Sequence, residues 1–254
     1  MNYILFGNES IASFSDVIKA ECHRHWMIQL FLSLDEEMTM EVDGQQISFR
    51  CIIINSNRTH KIDTAHIPHF TMLIDSTSAI GRQMRETYLQ NNAYYVLNML
   101  GVVESLNTAF KKVDTIQLPF YEIFVKQLLQ AMSVDLSCSP NYDSRIQTIL
   151  QAITTCREEQ HSLQPLANLV GLSKSRLSHL FKAETDTPLK SFLLLHQLKK
   201  AYSYLLEHGD DITTSAMKAG FDSPSHFAAT SKKMTGMTAS DISKDSVFLK
   251  VSFP

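Results

Sequence analysis

Two stretches, LQPLANLVGLSKSRLSHLFK (residues 163–182) and ITTSAMKAGFDSPSHFAATSKK (residues 212–233), repeat one pattern at an offset of about 50 residues. Each opens with an apolar helical segment, turns at a glycine followed by a large apolar residue (Gly171-Leu172, Gly220-Phe221), restarts in a serine-rich segment and closes with a second helix. A tight turn between crossed helices needs a residue that accepts positive φ, and glycine does so at least steric cost. Ser173 is placed to cap the second helix of the first unit. Ser223 and Pro224 supply a cap and a first-turn proline in the second unit, and Gly236 is placed to stop that helix. Between the units, PLKSFLLLHQLKKAYSYLLEHG (188–209) has the length and period of one long helix. A plain helical hairpin needs only one such turn. Two matching units on one connecting helix form a far more restrictive pattern, that of a double helix-turn-helix.

Outward from this pair, residues 144–242 read as short helices, and SVDLSCSPNYD (133–143) has the Ser/Pro/Asn/Asp composition of a connector. From about Ile4 to Asp75 the texture is strand-like, with IQLFLSL and CIIIN broken by VDGQ and NSNR, and Asp43-Gly44 is a hairpin-turn signal. From Ala79 to Val134 the pattern is helical, in QMRETYLQNNAYYVLNMLGVVESLNTAF and PFYEIFVKQLLQAM, with Pro119 in the first turn of the last helix. The ending VFLKVSFP alternates Val247, Leu249, Val251 and Phe253, which suits a strand or a frayed tail. The expected organisation is a strand-rich domain at 1–78, a helical dimerisation or linking segment at 79–134, a linker at 135–143, a double helix-turn-helix domain at 144–242 and a tail at 243–254.

The 254 residues suffice for two ordinary domains, and 44% apolar content is ample for a core in each, which excludes a disordered or fibrous chain. MNYILFGNES carries no basic segment followed by an apolar run, and no window approaches 18 apolar residues, so a cytoplasmic protein with no membrane partner is expected. Cys22, Cys51, Cys138 and Cys156 are widely spaced without a CxxC pair, which points to buried reduced thiols. Net charge is −3, yet residues 1–140 hold 10 Lys/Arg against 15 Asp/Glu while residues 141–254 hold 13 against 11. The asymmetry makes the C-terminal half the part that meets a polyanion.

LANLVGLSKSRLSHLFK, AYSYLL, AGFDSPSHF and TGMT resemble the AraC/XylS family of transcription regulators over the C-terminal hundred residues. The resemblance implies two recognition helices entering successive major-groove turns on one side of double-stranded promoter DNA. It further implies a homodimer, a small-molecule effector and RNA polymerase as partners, with no cofactor and no catalytic residue. Losing DNA specificity would leave a helix-turn-helix interaction protein, the alternative reading.

In the first recognition helix Leu177, Leu180 and Phe181 should face the core, leaving Ser175, Ser178, His179 and Lys182 outward, flanked by Lys174 and Arg176. Hydroxyls and imidazole can bond base edges, and Lys or Arg can bind guanine or phosphate. The same stripe in the second helix is Ser225, Ala228, Ala229 and Lys232, with Ser223, His226 and Lys233 nearby. Here the chain departs from the family, which typically carries an Arg, a Phe and a Pro where Ala229, Ser231 and Ala239 stand. The missing aromatic should thin the unit's core and the missing arginine removes a bidentate contact, so this helix is expected to dock rather than read.

ECHRHWMIQLF, VDGQQISF and NRTHKI resemble a cupin-type β-barrel, the sensor fold many AraC-like regulators carry. The fold class is therefore α+β: a cupin-like barrel with following helices, then an all-α double helix-turn-helix domain. Alternation along a strand puts His23 and His25 on one face, where His60 of a neighbouring strand could join them with Gln29. The carboxylate that metal-binding cupins place after the pair is missing, so an effector pocket or its vestige is expected here rather than a bound metal, and a metal-dependent cupin enzyme is the weakest reading. His66 and His69 are expected in a loop.

Overall fold

The computed structural model of the protein describes residues 2–7, 9–113, 115–135, 141–155, 162–235, 238–243 and 247–251. The expectations on Cys138, Cys156, Gly236 and Phe253 lie outside these residues. The chain divides into two compact units, residues 1–138 with 232–254, and residues 139–231.

The first unit begins with nine strands: β1 (Asn2–Phe6), β2 (Ser10–Ser15), β3 (Lys19–His23), β4 (Ile28–Ser33), β5 (Met38–Val42), β6 (Gln45–Phe49), β7 (Cys51–Ile54), β8 (His60–Asp63) and β9 (His69–Ile74). Helix α1 (Ala79–Met84) runs on into a π-helical turn (Arg85–Leu89), followed by β10 (Tyr94–Val96), α2 (Leu100–Phe110) and α3 (Leu118–Ala131). A last strand, β11 (Val247–Lys250), pairs in parallel with β1. The strands form a seven-stranded sheet, β10-β7-β4-β9-β2-β1-β11, and a four-stranded sheet, β3-β8-β5-β6.

β4 is buried along its whole length, and its alternation sorts two cores. Ile28, Leu30 and Leu32 join the cluster that also holds Tyr121, Phe124 and Leu128 of α3, whereas Phe31 packs with Phe49, Ile52, Ile54 and Ile62. Phe14 anchors the first cluster, 4.8 Å from Phe70 and 5.0 Å from Phe124 between ring centroids. Asp43 and Gly44 both take positive φ (47° and 82°) between β5 and β6, the two-residue turn their sequence signals. Pro119 lies in the first turn of α3.

Three expectations need correction. Residues 94–96 form a strand on β7 rather than part of a helix, because Gln90 takes a positive φ (45°) and two asparagines follow, after which Tyr94-Tyr95-Val96 is a β-favouring triplet. Cys22 is exposed, while Cys51 is buried and its thiol is pushed up to about 12 by burial. His69 is a buried residue of β9, donating from Nδ1 to the Ile67 carbonyl, whereas His66 does sit in a turn.

The second unit holds α4 (Ser144–Thr155), α5 (Leu163–Leu169), α6 (Lys174–Thr185), the long α7 (Leu189–Leu206) and α8 (Ile212–Lys218). Helix α9 (Pro224–Thr235) runs past its boundary and is followed by α10 (Ala239–Ser243). Ile146, Ile149 and Ile153 of α4 meet Leu166, Leu177, Phe181, Leu189 and Phe192 in one core.

Candidate nucleic-acid interface

The two repeats fold alike down to individual hydrogen bonds. Gly171 (φ 65°) follows α5, donating to Asn168 while Leu172 donates back to the Ala167 carbonyl; Gly220 (φ 82°) follows α8, donating to Met217 while Phe221 donates to Ala216. Each is a left-handed glycine closing a helix end, with the next amide reaching five residues back. The second helix of each unit is then capped by serine: Arg176 N–H donates to Ser173 Oγ at 3.2 Å, and His226 N–H to Ser223 Oγ at 3.1 Å. The second turn is one residue longer and the extra residue is Asp222. Its carboxylate lies 3.2 Å from His226 Nδ1.

On α6, Leu177 and Phe181 are buried and Leu180 packs partly against the same core. Lys174, Ser175, Arg176, His179 and Lys182 are exposed and Ser178 is half-buried, its hydroxyl donating to the Lys174 carbonyl. A hollow of about 550 Å³ opens beside this stripe, lined by Arg145, Ser173, Ser175, Arg176, His179 and Leu180 among others. Arg145, at the start of α4, is a residue the sequence reading missed. Its guanidinium grips Asp143 through two contacts, at 2.9 and 2.7 Å. Those hydrogen bonds hold the Asp143 carboxyl down to about 2.

On α9, Ser225, His226, Ala229, Lys232 and Lys233 are exposed, while Ser223 and Ala228 are half-buried. The core beneath is not thinned as the missing aromatic suggested. Ser231 is fully buried, and its Oγ lies 2.6 Å from the hydroxyl of Tyr202, which reaches in from α7. The Tyr202 ring packs on Phe227 at 5.5 Å, and Phe227 on Phe221 at 5.3 Å. An aromatic from the connecting helix is therefore packed against the serine, and the serine hydroxyl hydrogen-bonds the buried phenol.

In the first unit, His23 and His60 face each other across β3 and β8, with ring centroids 4.2 Å apart, and His25 lies 5.0 Å from His60. Alternation along one strand is not what gathers them: β3 has an irregular register between Ala20 and His23 and ends there, and His25 lies beyond it. Gln29 of β4 joins from the large sheet, its Oε1 3.2 Å from His25 Nε2. Burial lowers all three imidazoles, His60 to about 4 and His25 well below its ordinary value with help from its two neighbours, so each is neutral at pH 7.

A pair of matched helix-turn-helix units on one connecting helix defines a double helix-turn-helix protein, here with a β-rich N-terminal unit. Residues 166–245 match the family described as "Helix-turn-helix domain", and this region is a helix-turn-helix domain of the AraC type. The chain is 32% identical over 116 residues to the arabinose operon regulatory protein of Salmonella typhimurium. That match covers 45% of this chain and 41% of the relative, so the chain spans about two-fifths of that protein's length. Solved structures of ToxT from Vibrio cholerae share the fold along the chain. An apo variant from strain SCE256 has a TM-score of 0.57 at 10% identity, covering 95% of this chain and 94% of that one. ToxT from strain O395, bound to a methylnaphthalenyl butenoic acid, has a TM-score of 0.51 at 12% identity, covering 95% and 97%. Among the described residues, no helix is long and apolar enough to cross a membrane.

Proposed function

We propose that the protein is a sequence-specific transcription regulator of the cytoplasm, not an enzyme, that binds promoter DNA through α6 and α9 and acts on RNA polymerase there. The observation that carries this reading is the duplicated unit, in which each recognition helix is capped by serine and carries an exposed polar stripe. Lys174, Arg176 and Lys182 supply cations for phosphates, Ser175, Ser178 and His179 supply groups for base edges, and Lys232 and Lys233 hold α9 on the backbone. Residues 144–242 are the DNA-binding domain in this reading. A homodimer is supported by Leu118 and Ile123 of α3, exposed at 38% and 59%. The cluster of His23, His25, Gln29 and His60 is the effector site of the N-terminal domain in this reading; a solved ToxT structure of the same fold holds a small organic acid.

The alternative, an interaction protein with weak DNA specificity, draws on the short side chains of Ala228 and Ala229. Binding to the gene's own upstream DNA and to random DNA, measured across a salt series, separates the two. A regulator shows a specificity ratio of about 10³ or more at physiological salt. Equal affinity for both DNAs with the same salt slope sinks the regulator reading.

A further inference from the structure

Three hydrogen bonds set the chemistry of the histidine cluster. His23 Nδ1 lies 2.7 Å from the Glu21 carbonyl, His25 Nδ1 3.1 Å from that of Met27, and His60 Nδ1 2.9 Å from that of Arg58. A carbonyl only accepts, so in each neutral ring Nδ1 carries the proton and Nε2 presents a lone pair. All three rings are thus in one tautomer with main-chain support behind them, the arrangement typical of metal-ligating histidine.

Two of the Nε2 atoms, those of His60 and His25, do not have the partners that lone pairs require. His60 is 2% exposed, and its Nε2 is buried with no hydrogen-bond partner. His25 Nε2 faces the Gln29 carboxamide oxygen at 3.2 Å. That amide is oriented by its NH2, which donates to Thr71 Oγ1 at 3.4 Å, and Thr71 in turn donates to the Leu30 carbonyl at 3.0 Å. Two acceptors therefore oppose each other inside the protein. A cation between them would relieve this. One ligand atom from each histidine lies within 4.8 Å of the others. A tetrahedral ion with bonds of about 2.0–2.1 Å separates its nitrogens by roughly 3.3 Å, so the widest pair closes by about 1.5 Å, within reach of side-chain torsions.

We propose that His23, His25 and His60 bind a late first-row transition-metal dication, Zn2+ foremost, through three Nε2 atoms, with Gln29 Oε1 placed as a fourth ligand. The carboxylate whose absence argued against an ion is replaced by a neutral amide. Neutral imidazole and amide donors select zinc or cobalt over magnesium and calcium, which take carboxylate-rich oxygen shells. His23 is only half-buried and leaves an approach from solvent. The inference rests on the reading of this cluster as the ligand site of the N-terminal domain, and it names the ligand's chemical class.

The test uses the full chain, stripped with chelator, dialysed, and titrated with Co2+ by visible absorption and with Zn2+ against a chromophoric chelator. One equivalent of each is expected, with Zn2+ displacing Co2+ and raising the melting temperature. His23→Ala and His60→Ala should each weaken Zn2+ by more than about 100-fold, the upper end of what losing an outer-shell partner costs. His23→Ala alters a half-buried side chain, so it keeps the test open if His60→Ala fails to fold. The turn residue His66→Ala should bind as the parent does. No stoichiometric uptake, or uptake retained in both cluster variants, overturns the proposal. DNA binding measured alongside separates the two readings: uptake without DNA binding supports the metal site and sinks the regulator, and DNA binding without uptake does the reverse.

Discussion

Replacing Ser231 by phenylalanine introduces the aromatic typical of the AraC/XylS family that this segment resembles, yet here it should destabilise the second helix-turn-helix unit. The space is taken. Tyr202 is 2% exposed, its hydroxyl is 2.6 Å from Ser231 Oγ, and its ring is stacked edge-on against Phe227. Ser231→Phe forces a second ring into a filled core, which costs about 1–3 kcal/mol. It also removes the phenol's partner inside the protein, about 1–3 kcal/mol more. The single variant should therefore lose about 2–6 kcal/mol. Tyr202→Ala alone should cost about 3–5 kcal/mol, the range for emptying a large aromatic site. The double variant puts one ring back where one ring was. It should be more stable than the sum of the singles by at least about 2 kcal/mol, toward the upper end for residues in contact. Urea unfolding of the four proteins, followed through the helical signal, measures this coupling. Additive effects, or a Ser231→Phe protein as stable as the parent, would refute the idea that Tyr202 took over the aromatic's place.

Other expectations can be checked on the same protein. His179→Ala should flatten base preference at one or two positions, a loss of about 1–3 kcal/mol of discrimination, whereas Ala229→Arg should sharpen the second half-site; binding-site selection at fixed salt reads both. Asp143→Asn keeps the oxygen that accepts the Arg145 amide at the start of α4 but frees the guanidinium, so the slope of log K against log salt should steepen by up to about one unit. Since Arg145 holds the Asp143 carboxyl down to about 2, lowering pH to 5 should not mimic that variant, the carboxylate staying charged until pH falls toward its folded value. Gly81→Ala should lose about 3 kcal/mol or more in urea unfolding, because a Cβ there would stand 2.3 Å from the Asp75 main-chain carbonyl, which cannot swing aside as a side chain can.

The helix-turn-helix pair was legible because its signals are local. A glycine at a helix end, a serine two or three residues on and an apolar 3.6-residue period each act within one turn of helix, and both copies obeyed them. What stayed hidden depends on partners far along the chain. Val247–Lys250 carries strand alternation, but alternation does not encode a partner, and the one it finds is β1, more than 240 residues away. Tyr94–Val96 was absorbed into a helical pattern because the apolar residues on either side keep a helical period, while the strand is decided by the free edge of β7. The compensation of Ser231 by Tyr202 could not be seen for the same reason, since the two lie 29 residues apart on different helices.

The second recognition helix shows how far such coupling reaches into function. Its turn contains one residue more than the first, and that residue, Asp222, places a carboxylate 3.2 Å from His226 Nδ1. The imidazole that could replace the missing arginine is thus held by an acid on its own loop, next to a groove whose phosphates would repel that acid. Ala228 and Ala229 are too short to reach a base edge except through a thymine methyl. Tyr202 fills the core beneath α9, and in the proposed DNA-bound state the remaining cations of this helix, Lys232 and Lys233, would act at the phosphates. In the proposed DNA-bound state a helix built this way would fix the protein's register on the duplex, and the reading of sequence would fall to α6, where Arg176, His179 and Lys182 stand clear of the core.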